Sequence, residues 1–179
     1  MKKYLLFALL FLMVISSCVK NPGQLSEIGN NDFSIMLPAD FIQPSDPQEG
    51  SILHLCEDTS DFLSGLSVVV YKDNRVEDGD TTDIYSYYNF VANNILDETL
   101  DSGNLETPKD TTINGLKSLL FKTCGLSNQN DSSNNVCFYT GVYEGKTDFY
   151  EVTVWCKESD SGKFLNEINQ ILSSFKLKD

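Results

Sequence analysis

The residue types that catalyse by nucleophilic attack are scarce in this chain. His54 is its one histidine, so any Ser-His or Cys-His pair would have to use it. His54 stands between Leu53 and Leu55 in an alternating stretch, which favours a structural histidine on a strand. The nearest approach to a G-x-S-x-G turn, at residues 125–129, ends in glutamine rather than glycine. We therefore predict that the protein is not an enzyme and uses no cofactor.

An acidic loop is the best metal candidate. Calcium takes about six to eight oxygen ligands, and Asp73, Glu77, Asp78 and Asp80 lie close together in the sequence. In an EF-hand loop that began at Asp73, however, glycine would have to follow Glu77 directly, and Gly79 comes one residue late. We therefore predict a solvated connector and no bound metal.

The first eighteen residues indicate export and a lipid anchor. Lys2 and Lys3 precede an apolar run, residues 4–15, which has the length of a signal-peptide core and falls short of the ~20 residues that span a bilayer. The Ile-Ser-Ser-Cys sequence that ends at Cys18 resembles the lipobox of bacterial lipoproteins. The resemblance implies cleavage before Cys18, a diacylglyceryl group on its sulfur, an acyl chain such as palmitate on its new amino terminus, and membrane attachment through these lipids. An ordinary signal peptide or an uncleaved anchor is the alternative.

Three segments follow from this assignment. Residues 1–17 are the signal peptide, residues 18–31 are a flexible tether containing proline, glycine and asparagine, and residues 32–179 are one domain. Nothing acidic follows Cys18 directly, and this favours the periplasmic face of the outer membrane over the cell exterior.

Four cysteines follow Cys18, and an even number in an exported chain indicates disulfides. Their spacing with His54 matches no common zinc pattern, so we favour disulfides over zinc. Cys124 ends one predicted strand and Cys137 begins the next, so antiparallel pairing places them opposite each other. Cys56 and Cys156 form the second candidate pair, on export context alone.

Aromatic residues on the last strands are a candidate contact surface. If Val142 lies opposite Tyr150, one sheet face carries four aromatic side chains. Either a helix covers that face, which we favour, or it is exposed as a contact surface. The four residues are Tyr139, Tyr143, Phe149 and Trp155.

The order of the elements predicts an α+β fold. Short strands precede an amphipathic helix that begins near residue 84, further strands follow it, and a second helix begins near residue 161. The Asn-Gly pair that ends at Gly115 predicts a hairpin turn. Neighbouring strands are joined by short turns, so the sheet should be largely antiparallel and flanked by helices.

These pieces together resemble the PsbP-like fold. The resemblance lies in Phe33-Ser-Ile-Met-Leu-Pro38, the Ile113-Asn-Gly115 turn before a strand, the Tyr150-Glu-Val-Thr-Val strand and the final Ser174-Phe175-Lys176. It implies an α/β/α sandwich and a binding or accessory role, and it brings no catalytic residues.

The charge limits the partners. The formal net charge of −13 would become −15 without residues 1–17, which carry two lysines and no acid. Nucleic acid and anionic headgroups repel such a chain. We therefore expect a lipid-anchored cell-envelope protein that binds a protein partner. The alternatives are a carrier or sensor of a small apolar ligand, and an immunity or inhibitor protein whose acidity suits a basic partner.

Overall fold

A computed structural model describes residues 25–58, 65–77, 80–99, 103–127 and 135–178, with the backbone alone at residues 76, 77, 80, 81, 98 and 99. Its helices are α1 (Ile84–Thr99) and α2 (Ser161–Ser174), and a 3-10 turn (Glu158–Asp160) precedes α2. Its strands are β1 (Leu25–Gly29), β2 (Phe33–Pro38), β3 (Leu53–Cys56), β4 (Ser67–Asn74), β5 (Val76–Glu77), β6 (Asp80–Thr81), β7 (Asn104–Leu105), β8 (Lys109–Ile113), β9 (Leu116–Leu126), β10 (Asn135–Glu144), β11 (Asp148–Lys157) and β12 (Lys176–Leu177).

One antiparallel sheet organises the domain. Its strand order is β3-β4-β11-β10-β9-β7, and β8 also pairs with β9. The long central strands β9, β10 and β11 follow one another along the chain as a meander, because each connection between them is short enough for adjacent antiparallel pairing. β1, β2 and β12 form a smaller antiparallel sheet.

Two apolar cores lie on opposite faces of the large sheet. One face packs against α2 and the inner face of β2, and the other packs against α1. Because side chains alternate along a strand, β10 contributes Tyr139 and Tyr143 to the first core and Phe138 and Val142 to the second. The order of layers is therefore helix, sheet, then helix with the small sheet.

Helix α1 begins at a side-chain cap. The Oδ1 atom of Asp83 accepts hydrogen bonds from the backbone N–H groups of Tyr85 and Ser86, each 2.8 Å long, and so satisfies amides at the helix start. The buried residues then repeat at helical spacing, and the helix turns one apolar face to the sheet. They are Ile84, Tyr87, Tyr88, Val91, Ala92 and Ile95.

The predicted Asn-Gly hairpin is present between β8 and β9. Asn114 has φ 49° and Gly115 has φ 85°, the left-handed pair that a two-residue hairpin of this twist requires. The Asn114 side-chain amide also donates to the carbonyl oxygen of Phe175 at 2.8 Å, which connects this turn to the end of α2.

The domain begins earlier than the sequence indicated. Residues 25–29, which we placed in the flexible tether, form strand β1 and pair along β2 from Leu25 opposite Pro38 to Gly29 opposite Ser34. Only Leu25 and Ile28 of this strand are apolar, so its order depends on backbone pairing with β2, which composition does not reveal. Residues 1–24, with Cys18 among them, lie outside the described residues.

The helices of the described segments do not span a bilayer: none of them combines the length and the apolarity that crossing would need.

Candidate functional site

The structure joins Cys124 of β9 to Cys137 of β10 in a disulfide with a Cα–Cα distance of 4.2 Å. The register is the one deduced from the sequence, with Leu119 opposite Val142 and Thr123 opposite Phe138. Trp155 lies on the opposite face of the sheet from this bond, in the core beneath α1.

The second predicted disulfide, Cys56–Cys156, is wrong. Both residues are buried free thiols. Cys56 pairs with Ser67 on β4, and Ser67 pairs with Trp155 on β11, so a whole strand separates the two cysteines. Two strand spacings of about 4.8 Å exceed the Cα–Cα distance that a disulfide can bridge. The thiol of Cys56 instead donates to the carbonyl oxygen of Ile42 at 3.6 Å.

The four aromatic residues do not share one face of the sheet, which contradicts the candidate contact surface, but helices cover all four, as we favoured. Tyr143 pairs with Tyr150, and Val142 pairs with Glu151, one residue away from the register that the candidate surface assumed. A one-residue shift moves side chains to the other face, so Tyr139 and Tyr143 lie beneath α2 while Phe149 and Trp155 lie beneath α1. All four side chains are at most 8% exposed.

His54 has structural contacts. Its Nδ1 atom accepts a hydrogen bond from the backbone N–H of Gln48 at 3.0 Å, and its ring lies 5.6 Å from the Trp155 ring. Burial lowers the pKa of His54, so the imidazole is neutral at neutral pH. A neutral imidazole that accepts from a backbone amide holds the loop before β3 against the sheet.

Part of the acidic loop forms two short paired strands, β5 with β6. Asp73 lies earlier, on β4, where the Tyr87 hydroxyl donates to it. Asp78 and the side chains of Glu77 and Asp80 lie outside the described residues, so the absence of calcium stays a prediction. The described cluster of possible metal ligands contains Cys124, Cys137 and Glu158, but its two cysteines are bonded to each other.

The best candidate site is a cavity of about 290 Å³ at the open edge of the α1 layer. Its walls combine carboxyl groups, amides and aromatic rings, and they include no lysine, arginine or histidine among the described residues. The lining residues are Gln48, Glu49, Tyr71, Asp73, Phe90, Val91, Asn94, Ile95 and Glu151.

Strand alternation explains why two acids meet there. Tyr71 and Asp73 project from the α1 face of β4, and Glu151 projects from the same face of β11, directly opposite Tyr71. Asp73 is the diagonal neighbour of Glu151 on that face. Two carboxyl groups therefore share the floor of the cavity.

Asp73 is held in place by α1. The Tyr87 hydroxyl donates to its Oδ2 atom, and the Tyr87 ring stacks on Phe149 with 4.6 Å between ring centroids. Burial and the hydrogen bond to Asp73 raise the pKa of Tyr87 well above its ordinary value. Tyr87 is therefore a permanent hydrogen-bond donor that fixes Asp73 as an acceptor at the cavity.

Glu151 is the unusual acid of the site. Burial, with the nearby charge of Asp73 acting in the same direction, raises the pKa of Glu151 to about 7, although the Thr153 hydroxyl donates to its Oε1 atom at 2.7 Å. The hydroxyl of Thr153 is in turn 3.0 Å from the hydroxyl of Thr140. The two threonine hydroxyls thus orient the carboxyl group of Glu151 from the sheet, and this group changes its charge near neutral pH.

This arrangement suits a cationic group. A lysine or arginine side chain in the cavity would pair with Glu151 and Asp73, favour the ionised form of Glu151 and restore the lost solvation. At the mouth of the cavity, Phe90 is 56% exposed on the outer face of α1 and offers an aromatic contact for the rest of a partner.

Sequence reasoning missed this site, although one signal was present. Glu151 stands in the strand Phe-Tyr-Glu-Val-Thr-Val-Trp, and an acid within a buried strand requires a partner or a function. That Asp73 and helix α1 also belong to this site could not be predicted from the sequence, because it depends on the order of the strands in the sheet.

We predict that Glu151 makes stability decrease with rising pH. The pKa of Glu151 is 4.5 in the unfolded chain and about 7 in the native chain. Between these two pH values the native chain keeps a proton that the unfolded chain has lost. The free energy of unfolding therefore decreases as the pH rises from 4.5 to 7. Glu151→Gln should therefore raise the free energy of unfolding at pH 8 by about 2 kcal/mol, because one pKa unit is about 1.4 kcal/mol and cavity water screens part of the effect. At pH 4 it should have almost no effect.

Urea unfolding of both proteins at the two pH values measures this difference. An equal effect of Glu151→Gln at pH 4 and at pH 8 would assign it to packing instead of to the proton.

No family model matches the sequence, and no curated protein matches it. Solved structures do share its fold. Cyanobacterial PsbP (CyanoP) from Synechocystis sp. PCC 6803 aligns with a TM-score of 0.59 at 12% identity, over 92% of this chain and 99% of that one. The Ran-binding protein Mog1p of Saccharomyces cerevisiae aligns with 0.58 at 10% identity, over 87% and 96%.

LpqN of Mycobacterium tuberculosis, described as involved in cell envelope biogenesis, aligns with a TM-score of 0.55 at 10% identity, over 87% of this chain and 91% of that one. Identities this low show the fold alone. The predicted α+β class, with an antiparallel sheet between helices as in PsbP-like proteins, is confirmed.

Proposed function

We propose that this chain is a lipid-anchored binding protein of the cell envelope, without catalytic activity, which receives a lysine or arginine side chain of a protein partner in the cavity beside α1. The observation that carries the proposal is Glu151, a partly buried carboxyl group at a cavity whose described lining residues include no lysine, arginine or histidine.

Charge complementarity favours a basic partner. The chain has a formal net charge of −13, and Glu49, Asp73 and Glu151 concentrate negative charge at the cavity. Arg75 lies close in sequence, but it forms an ion pair with Glu144 at 2.6 Å and donates to the carbonyl oxygen of Gly145. The cavity acids therefore remain available to an external cation.

The cavity walls also separate the alternatives. A carrier of an apolar ligand would need an enclosed apolar pocket. This cavity is open, and three carboxyl groups and two amides share its lining with the apolar and aromatic side chains. An acidic surface with an exposed aromatic residue is typical of a site for a basic protein. An immunity or inhibitor protein would use the same surface, with a basic toxin or enzyme as the partner.

The location proposed is the periplasmic face of the outer membrane. The lipobox at Cys18 supports acylation, and stable attachment by lipid alone takes about two chains. The fold similarity to LpqN, whose description names cell envelope biogenesis, is compatible with this location.

We predict that Cys18→Ala releases the protein from the membrane. Without the Cys18 thiol the lipid cannot be attached, so the variant should move from the detergent phase to the aqueous phase on phase separation. Ser17→Ala is the control, since it keeps a small residue before Cys18 and should fractionate like the wild type. Retention of Cys18→Ala in the detergent phase would mean that residues 1–17 are an uncleaved anchor.

The partner site can be located by crosslinking. A photoreactive phenylalanine analogue at Phe90 should capture a defined protein in native envelopes, whereas the same analogue at Leu165 should not. Leu165 is a matched position because it is 44% exposed on α2, in the opposite layer. An identical set of products from both positions, or none from Phe90, would contradict the proposed site.

A further inference from the structure

Three cysteines lie side by side across the large sheet. Cys137 on β10 pairs in register with Cys124 on β9 and with Cys156 on β11. Side chains of directly opposite residues project from the same face, and here that face is the core beneath α2. The sulfur of Cys137 therefore has one cysteine neighbour on each side, and it is bonded to only one of them.

The strand geometry allows either bond. The Cα atoms of Cys124 and Cys137 are 4.2 Å apart, as in the closely spaced, non-hydrogen-bonded type of antiparallel pair. The backbone N–H and C=O of Cys137 must then point toward β11. Cys137 and Cys156 accordingly form the hydrogen-bonded type of pair, with Cα atoms ~5.5 Å apart. This separation lies within the ~4.4–6.8 Å that disulfides bridge.

We propose that Cys124, Cys137 and Cys156 form a thiol–disulfide exchange site that presents a reactive Cys124 thiol to small organic disulfides. The Cys156 thiol loses its proton to solvent, and its sulfur attacks Cys137. The Cys137–Cys156 bond forms as the Cys124–Cys137 bond breaks, and the electron pair stays on the Cys124 sulfur, which takes up a proton. One disulfide and one thiol are present before and after, so the exchange needs no oxidant or reductant.

The order of the three sulfurs suits this displacement. A thiolate attacks the central sulfur while the third sulfur leaves, and the row across β11, β10 and β9 places the attacking, central and leaving sulfurs in that sequence. Cys56 is not in the row, because it lies on β3 with β4 between it and β11.

The exchange changes which sulfur the solvent can reach. Cys137 and Cys156 are fully buried, whereas Cys124 lines an open cleft of about 390 Å³ together with Asn104, Glu106, Lys122, Gly125, Leu126, Asn135 and Glu158. One positive and two negative side chains line this cleft, Lys122, Glu106 and Glu158, and a carboxylate oxygen of Glu158 lies within 4.8 Å of the Cys124 sulfur. Once the released Cys124 thiol loses its proton to solvent, its sulfur can attack a small disulfide, so that a mixed disulfide forms at Cys124 and one small thiolate leaves.

Burial makes the exchange slow at neutral pH. It raises the pKa of Cys156 to about 11; the charges of Asp160 and Glu57 act in the same direction, and that of Lys122 opposes them. The attacking thiolate is therefore scarce near pH 7, and the rate should increase toward alkaline pH, as thiol–disulfide exchange does.

Trapping the released thiol tests the site. The anchored protein, purified in detergent without reductant, is held at pH 8 with excess iodoacetamide and quenched in acid. A protease that cleaves before aspartate then places the three cysteines on separate peptides, because Asp131 and Asp148 lie between them. The Cys137–Cys156 peptide pair with alkylated Cys124 should accumulate as the Cys124–Cys137 pair declines. A Cys124–Cys137 pair that persists unchanged would overturn the proposal.

Three variants identify the attacking sulfur. In Cys156→Ser, alkylation of Cys124 should be lost, and its persistence would show another route and overturn the mechanism. In Cys56→Ser the exchange should be retained, and its loss would assign the attack to Cys56. Cys124→Ser should form the Cys137–Cys156 bond in oxidising buffer. Free thiols at both Cys137 and Cys156 in a folded Cys124→Ser chain would show that the geometry does not permit that bond.

Discussion

Replacing Phe175 with alanine is expected to lower the free energy of unfolding by about 4 kcal/mol, within the range found for buried phenylalanine. Phe175 directly follows α2 and is fully buried. The centroid of its ring lies 4.4 Å from the ring centroid of Tyr143, 5.5 Å from that of Tyr150 and 5.6 Å from that of Phe33. Its removal would open a cavity where both sheets and the end of α2 meet.

Urea unfolding followed by circular dichroism measures the effect. Leu165→Ala is the control, because Leu165 belongs to the same helix but is 44% exposed, and its change should stay below about 1 kcal/mol. A loss for Phe175→Ala no larger than for the control would show that this junction is not the centre of the core.

Reducing the Cys124–Cys137 disulfide is expected to lower the free energy of unfolding by about 3 kcal/mol. The two cysteines are 13 residues apart, and in the chain-entropy model closing a loop of about 15 residues stabilises a fold by about 3 kcal/mol. The total free energy of unfolding of a domain is typically about 5–15 kcal/mol. A loss of this size is a large share of that total, so reduction should clearly lower the urea midpoint.

Unfolding curves with and without reductant give the value. The double variant Cys124→Ala/Cys137→Ala should unfold at the same midpoint in both buffers, since it has no bond to reduce. A reductant effect of equal size in that variant would disconnect the stability from this disulfide.

The same argument from the sequence succeeded for one strand pair and failed for the next. Between β9 and β10, opposing Cys124 and Cys137 fixed the register and placed apolar residues on a common face. Between β10 and β11 only the turn could indicate the register. Both possible registers place large apolar side chains on both faces of the sheet, so the apolar pattern could not decide between them. A shift of one residue then exchanged the faces of Phe149 and Trp155.

Long-range order explains the other differences. The Cys56–Cys156 prediction failed because β4 lies between β3 and β11 in the sheet. That order links segments about a hundred residues apart, and no local pattern encodes it. The cavity depends on the same order, because Asp73 and Glu151 meet only where β4 pairs with β11. The buried face of helix α1, by contrast, can be predicted from the spacing of its apolar residues, and the hairpin turn can be predicted from the Asn114-Gly115 pair.

Neutralising the two carboxyl groups on the floor of the cavity shows whether a cationic side chain of the partner binds there. The double variant Asp73→Asn/Glu151→Gln removes both negative charges from the floor of the cavity while keeping the size of the side chains. With the photoreactive analogue at Phe90, it should lose the captured partner while retaining its membrane fractionation and its circular dichroism spectrum. If the double variant captures the same protein in the same yield, no cationic side chain is recognised there, and the proposed function is contradicted.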